Sequence, residues 1–150
     1  MRYVLAACAI FLMSGEALAM GGLWCGSEGP AKIDIQSGLT RGMGSPLYQF
    51  KGSVVIDDKT VPEDLRRVEF GPEQVPQFWI DRTALNLLLY REREGDNPHG
   101  YVEVTIMTQS KGDDDEGTFD GTYEVQVWDT TGDGEPKDVK LSGTISCGVE

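Results

Sequence analysis

Apolar residues recur at every second position through most of the chain. Ile33 and Ile35 alternate with Lys32, Asp34 and Gln36. Tyr48, Phe50, Val54 and Ile56 share one parity, with Gln49, Lys51, Ser53 and Asp57 on the other. Val102, Val104 and Ile106 alternate with Glu103 and Thr105, and Tyr123, Val125 and Val127 with Thr122, Glu124 and Gln126. Near the end, Val139, Leu141, Ile145 and Cys147 oppose Lys140, Ser142, Thr144 and Ser146. A period of two is that of a strand with one wet face. Gly52 marks a bulge or bend in the second of these strands. Arg67–Phe70 and Gln77–Ile80 read as short strands, and Pro62 starts a single helical turn.

One segment is ambiguous. In Thr83–Arg91, Leu85, Leu88 and Leu89 fit a helix face, whereas Leu85, Leu87 and Leu89 fit a strand face. Strand context on both sides and the short turn at Asp81-Arg82 favour a strand. Arg91-Glu92-Arg93-Glu94 continues it as a solvated tip. Between the periodic stretches lie turn compositions: Ser27–Pro30, a glycine-rich loop over Ser37–Pro46, Gly95–Gly100, an acidic loop over Lys111–Gly117, and Thr130–Pro136. About eight short strands with turns every ~8–12 residues predict an all-β fold, a small antiparallel barrel or sandwich.

The first residues need separate treatment. Met1-Arg2-Tyr3 is basic, Val4–Met13 is apolar or small, and Ala17-Leu18-Ala19 is a small-x-small cleavage site. This predicts a cleaved signal peptide over residues 1–19 and a single barrel-like domain over 20–150. The apolar run is shorter than the ~20 residues a spanning helix needs, so no membrane insertion is expected after cleavage. Leu5-Ala6-Ala7-Cys8 imitates a lipidation site, but most of the apolar core follows that cysteine instead of preceding it. The style of the signal implies a bacterial periplasmic or secreted location.

Export changes the meaning of the cysteines. Once residues 1–19 are removed, Cys25 and Cys147 are left. In an oxidising compartment they pair with each other, tying the first strand to the last. With no neighbouring His or further Cys, they do not form a metal site. Trp24 precedes Cys25, so in a regular strand the two face opposite ways.

Gly22-x-Trp24 on a first strand resembles the Gly-x-Trp signature of lipocalin-type barrels. That resemblance implies a tryptophan closing the barrel floor. The arginine that stacks on it in that family has no counterpart here. The general build is also similar to small periplasmic barrel proteins that inhibit lysozyme, without a motif that matches residue by residue.

The formal net charge is −12 and is unchanged by loss of Arg2 and Glu16. Nucleic acid needs clustered Lys and Arg and is not an expected partner. A cationic protein would be steered toward such a surface. Catalytic chemistry finds little purchase. His99 is the one histidine and sits in a Pro-Gly turn, without the orienting carboxylate a serine triad requires. Asp129 and Asp133 occupy positions one and five of a calcium-type loop, but Lys140 stands where a bidentate Glu is required. Asp113–Glu116 is a charge run of the solvated kind. No cofactor is expected. Tyr48, Phe50, Phe78 and Tyr123 fall on core parities. Trp79 and Trp128 fall on the opposite parity from their apolar neighbours, and are candidate anchors for a partner. The expected function is therefore an exported, monomeric, non-catalytic binding protein for another envelope or extracellular protein. The alternatives are a lipocalin-like carrier of a small apolar ligand and a carboxylate hydrolase.

Overall fold

The alternation folds as it reads. In the computed structural model, which describes residues 21–40, 47–112 and 117–150, nine antiparallel strands form one curled half-barrel sheet. They are β1 (Gly21–Glu28), β2 (Ala31–Leu39), β3 (Leu47–Ile56), β4 (Arg67–Phe70), β5 (Gln77–Ile80), β6 (Ala84–Glu92), β7 (Gly100–Ser110), β8 (Thr118–Asp129) and β9 (Lys137–Val149). A one-turn helix α1 (Glu63–Arg66) precedes β4, and a 3-10 turn (Pro72–Gln74) joins β4 to β5. The spatial order is β4-β3-β2-β1-β9-β8-β7-β6-β5. The residues read as a signal peptide, Cys8 among them, most of the glycine-rich loop and Asp113–Glu116 lie outside the described residues.

The concave face is the core. Ile33, Ile35, Val54, Leu85, Leu89, Val104, Ile106, Tyr123 and Val125 are fully covered there. Tyr123 carries a polar tip deep into it. Its hydroxyl donates to Ala31 O and accepts from Ala31 N, so the buried phenol leaves no unmet hydrogen bond. The ambiguous segment resolves as strand, over Ala84–Glu92. Leu85, Leu87 and Leu89 are buried, while Leu88 lies on the other face.

β1 and β9 are neighbours, and Cys25 stands directly opposite Cys147. The disulfide forms between them, facing the core. Trp24 takes the outer face. Its indole lies across Gly148, its cross-strand neighbour, where a Cβ would collide with the ring. The floor-closing position implied by the Gly-x-Trp resemblance is thus not the one Trp24 occupies. A strand's strict two-residue period cannot bury Trp24 and Cys25 together.

Three readings of local structure are corrected. β2 runs on to Leu39 through the stretch read as loop. Ser37 turns inward and its hydroxyl donates to Gly38 O and Tyr48 O, and Gly38 leaves room for the Tyr48 ring. The irregularity of β3 is not at Gly52, which pairs regularly with Ile35 and Phe70. It lies where the register slips between Gln36 and Gly38, opposite Gln49, whose φ is 51°. That extra residue inverts the parity before it, so Phe50 is buried and Tyr48 is moved off the core face. Phe78 does share a face with buried Leu87, its partner. It is nevertheless exposed, because β5 is the last strand of the sheet.

The two end strands bring the curled sheet round on itself. β4 pairs with β3, and after the 3-10 turn the same chain pairs with β6 as β5. The seam is crossed by side chains. Arg91 Nη1 donates to Glu69 O.

Candidate functional site

The convex face of β5–β8 gathers the residues that are hard to explain by folding alone. Register sets Trp79 opposite Asn86, Asn86 opposite Met107, and Met107 opposite Thr122. Trp79 is 60% exposed and Met107 62%, on the same row with β6 between them. The tryptophan is not loose. Its Nε1 donates to Asp81 Oδ2 at 3.0 Å. Asp81 Oδ1 in turn accepts from Thr83 Oγ1, Thr83 N and Ala84 N. These bonds, Thr83 first, hold the Asp81 carboxyl at about 2, well below its ordinary value. The turn before β6 thus fixes an exposed indole.

A second group sits toward the other end of the face. Glu92 stands opposite Tyr101, Tyr101 opposite Trp128, and Trp128 opposite Asp138. One row further in, Tyr90 stands opposite Glu103 and Glu103 opposite Gln126. Tyr90, Tyr101 and Trp128 each therefore face a carboxylate on a neighbouring strand. The Tyr101 and Trp128 rings are nearly parallel, 10° apart with centroids at 6.5 Å. Tyr90 lies 5.3 Å and His99 6.0 Å from the Tyr101 ring. Tyr90 Oη donates to Glu92 Oε1 at 2.9 Å. Burial, then the hydrogen bond to Glu92, then the nearby negative charge of Glu92 and Glu103 push the Tyr90 phenol up to about 12. Met107 and Tyr101 lie on one strand, about 20 Å apart at ~3.3 Å per residue.

Trp79 and Trp128 thus share the convex face, at opposite ends of it. Trp79 is largely exposed with its indole held by Asp81, whereas Trp128 is half-buried against Tyr101. Sequence reading missed Tyr90 and Tyr101. The signal was present in their parity, because each alternates with buried Leu89 and Val102.

The remaining candidate chemistry is engaged in structure. Arg93, read as part of a solvated tip, has a side chain only 4% exposed. Its Nε bonds Asp64 Oδ2 at 2.6 Å, and its Nη1 bonds Asp129 Oδ1 at 3.0 Å and Pro98 O at 2.8 Å. The correction follows from α1, which carries Asp64 over the end of β6. Burial raises the Asp129 carboxyl, but bonds from Thr131 and Arg93 outweigh it and leave it below its usual range. Asp129 is therefore ionised and neutralised by a guanidinium, the wrong state for a general acid. The same bonds occupy the oxygens a calcium ion would need. Asp133 lies exposed in the following turn, and no group of three potential ligands gathers among the described residues. His99 is exposed, and its carbonyl accepts from Thr130 N and Oγ1.

A cleft of about 400 Å³ opens at the seam between α1, β4 and the end of β6. Its walls are ion pairs, Arg91 with Glu94 and Arg93 with Asp64. Grooves of about 790 and 550 Å³ flank the bulged end of β3 and are open to solvent. The apolar side chains of the concave face form one buried cluster. No helix among the described residues is long and apolar enough to cross a membrane.

The geometry defines a disulfide-clasped antiparallel half-barrel with an aromatic and acidic convex face. No family model, curated protein or solved structure matches the chain.

Proposed function

We propose that the protein is exported, cleaved after Ala19, and acts in the periplasm or outside the cell by binding a cationic protein on the convex face of β5–β8. The observation that carries this reading is the pairing of Trp79 and Met107, both largely exposed, with an aromatic and acidic cluster on the same face. Large exposed side chains held rigid are the usual anchors of protein interfaces, because little entropy is lost when they are covered. The net charge of −12 supplies attraction for a basic partner and repels a second copy of the chain.

Carriage of an apolar ligand has less support, since the apolar side chains of the concave face are gathered into one buried cluster. Hydrolysis has less support as well. Asp64 and Asp129, carboxylates brought to one place at the seam, share Arg93 between them.

The reading is tested by affinity capture from envelope extract at low and moderate salt, with the wild-type chain and a Trp79→Ala/Met107→Ala variant. A basic protein is expected on the wild type, weakened by added salt and lost from the variant. Capture of nothing basic, or capture indifferent to both substitutions, refutes it. N-terminal sequencing of the exported product checks cleavage after Ala19.

A further inference from the structure

We infer that Tyr90, Tyr101, Trp128 and His99, with Glu92 and Glu103 among them, form a receptor for an arginine side chain of the partner. This rests on the proposed cationic-protein reading and names the contact within it. Cross-strand aromatic pairs do stabilise sheets, and that role alone would explain rings in contact. It does not explain why each of Tyr90, Tyr101 and Trp128 has a carboxylate as a cross-strand neighbour. Glu92 is the cross-strand neighbour of Tyr101, and Glu103 of Tyr90. A half-buried ring face beside a carboxylate suits a group that is flat, cationic and rich in donors. Guanidinium is that group. It stacks on aromatic faces, is weakly hydrated, and forks onto carboxylates, whereas an ammonium is a compact and strongly hydrated charge.

The charge of the site is available for such a guest. The chain's own arginines beside it, Arg91 and Arg93, flank Glu92 on the opposite parity. They are bonded to Glu69 O and Glu94, and to Asp64, Asp129 and Pro98 O. Lys140, opposite Gln126, approaches Glu124 at 3.9 Å. The negative surroundings are felt by Tyr90, whose phenol is held from ionising by burial and by Glu92 and Glu103. Asp138 adds a further carboxylate at the Trp128 end, taking a bond from Gln126 Nε2.

The test is a titration of the full chain with two labelled peptides of equal length and charge, one carrying three arginines spaced by Gly-Ser and one carrying three lysines. The arginine peptide is expected to bind about tenfold more tightly. Tyr101→Leu and Trp128→Leu should bring it down to the lysine value, and Tyr101→Phe, which keeps the ring, should not. Glu103→Gln leaves the ring packing in place and should weaken the arginine peptide severalfold. Thermal unfolding of each variant separates lost binding from lost fold, and the Tyr101→Phe and Glu103→Gln arms do not depend on it. Equal binding of both peptides, unchanged by Tyr101→Leu, overturns the receptor and leaves a merely charge-driven face. Binding of a neutral oligosaccharide in place of arginine also overturns it. Binding of neither peptide overturns the receptor and the cationic-partner reading together.

Discussion

The sheet meets itself along two lines, and they are built differently. Where the termini join, β1 and β9 run in continuous register from Leu23 opposite Val149 to Glu28 opposite Thr144. Backbone bonds close that line, and the Cys25–Cys147 disulfide locks it from the core side. Across the molecule the chain between β4 and β5 changes partner. β5 pairs only with Leu85–Leu88, so the rest of β6 has no strand on that side. Arg91 and Arg93 fill the gap, one bonded to a backbone carbonyl of β4 and the other to Asp64 of α1. One closure is made of ladder and covalent bond, the other of guanidinium groups. The expected order of opening follows. Regions with few buried apolar contacts and unpaired edges unfold locally at low cost, so the seam opens before the clasp.

The largest way to disturb that contrast is to cut the clasp. Cys25 and Cys147 are 122 residues apart, and a loop of that size is worth ~4–5 kcal/mol in the chain-entropy account. That is a large share of the ~5–15 kcal/mol by which small domains are stable. Cys25→Ala/Cys147→Ala is expected to lower the urea midpoint by the corresponding amount. Wild-type protein in reductant should shift in the same direction once the buried bond is reached. A variant as stable as the wild type would mean that the β1–β9 ladder alone holds the termini.

The seam has one strong point, and Arg93 is it. Arg93→Met leaves Asp129 buried without its partner, and breaking one side of a buried pair costs ~3–5 kcal/mol. Adding Asp129→Asn to that variant removes the stranded charge and should return part of the loss. The pair also gives a pH signature. The Asp129 carboxyl titrates lower in the folded chain than unfolded. Its contribution is therefore complete above the ordinary carboxylate range, ~3.9, and is lost as pH falls through the folded value. Urea midpoints followed from pH 6 down to pH 2 should decline along the acid limb, and Asp129→Asn should flatten that decline. An Asp129→Asn profile as steep as wild type would place the acid sensitivity elsewhere.

The contrast also shows what a sequence yields. The clasp was legible because it is periodic: Ile145 and Cys147 share a parity, Leu23 and Cys25 share another, and two cysteines in an exported chain have one obvious way to pair. The choice of strand over helix for Ala84–Glu92 was legible from its neighbours. The seam was not. Arg93 looks like surface because its burial is supplied by Asp64 and Asp129, 29 and 36 residues away along the chain. Gln49 has no turn signature, so the inversion that frees Tyr48 from the core could not be read. In the candidate site, Trp79 and Trp128 stood out by parity. Tyr90 and Tyr101 were hidden in stretches whose other features, a charge run and a turn, drew the reading away.

The smallest expected effect is the sharpest on mechanism. Arg91→Ala removes one partly exposed bond to Glu69 O and the adjoining pair with Glu94, worth ~0.5–1.5 kcal/mol together. Global stability should barely move. The backbone of Arg67–Phe70 in β4 has its ladder to β3 and, on the far side, the Arg91 guanidinium on Glu69 O. Hydrogen exchange at the amides of Arg67–Phe70, and at Leu89–Glu92 of β6, should quicken in Arg91→Ala while β1 and β9 stay protected at wild-type rates. Such a result would make the seam a separate opening unit, held shut by side chains. Exchange that quickens equally at β1 and β9 would mean instead that both lines open as one, and that the disulfide governs the far side of the sheet as well as its own.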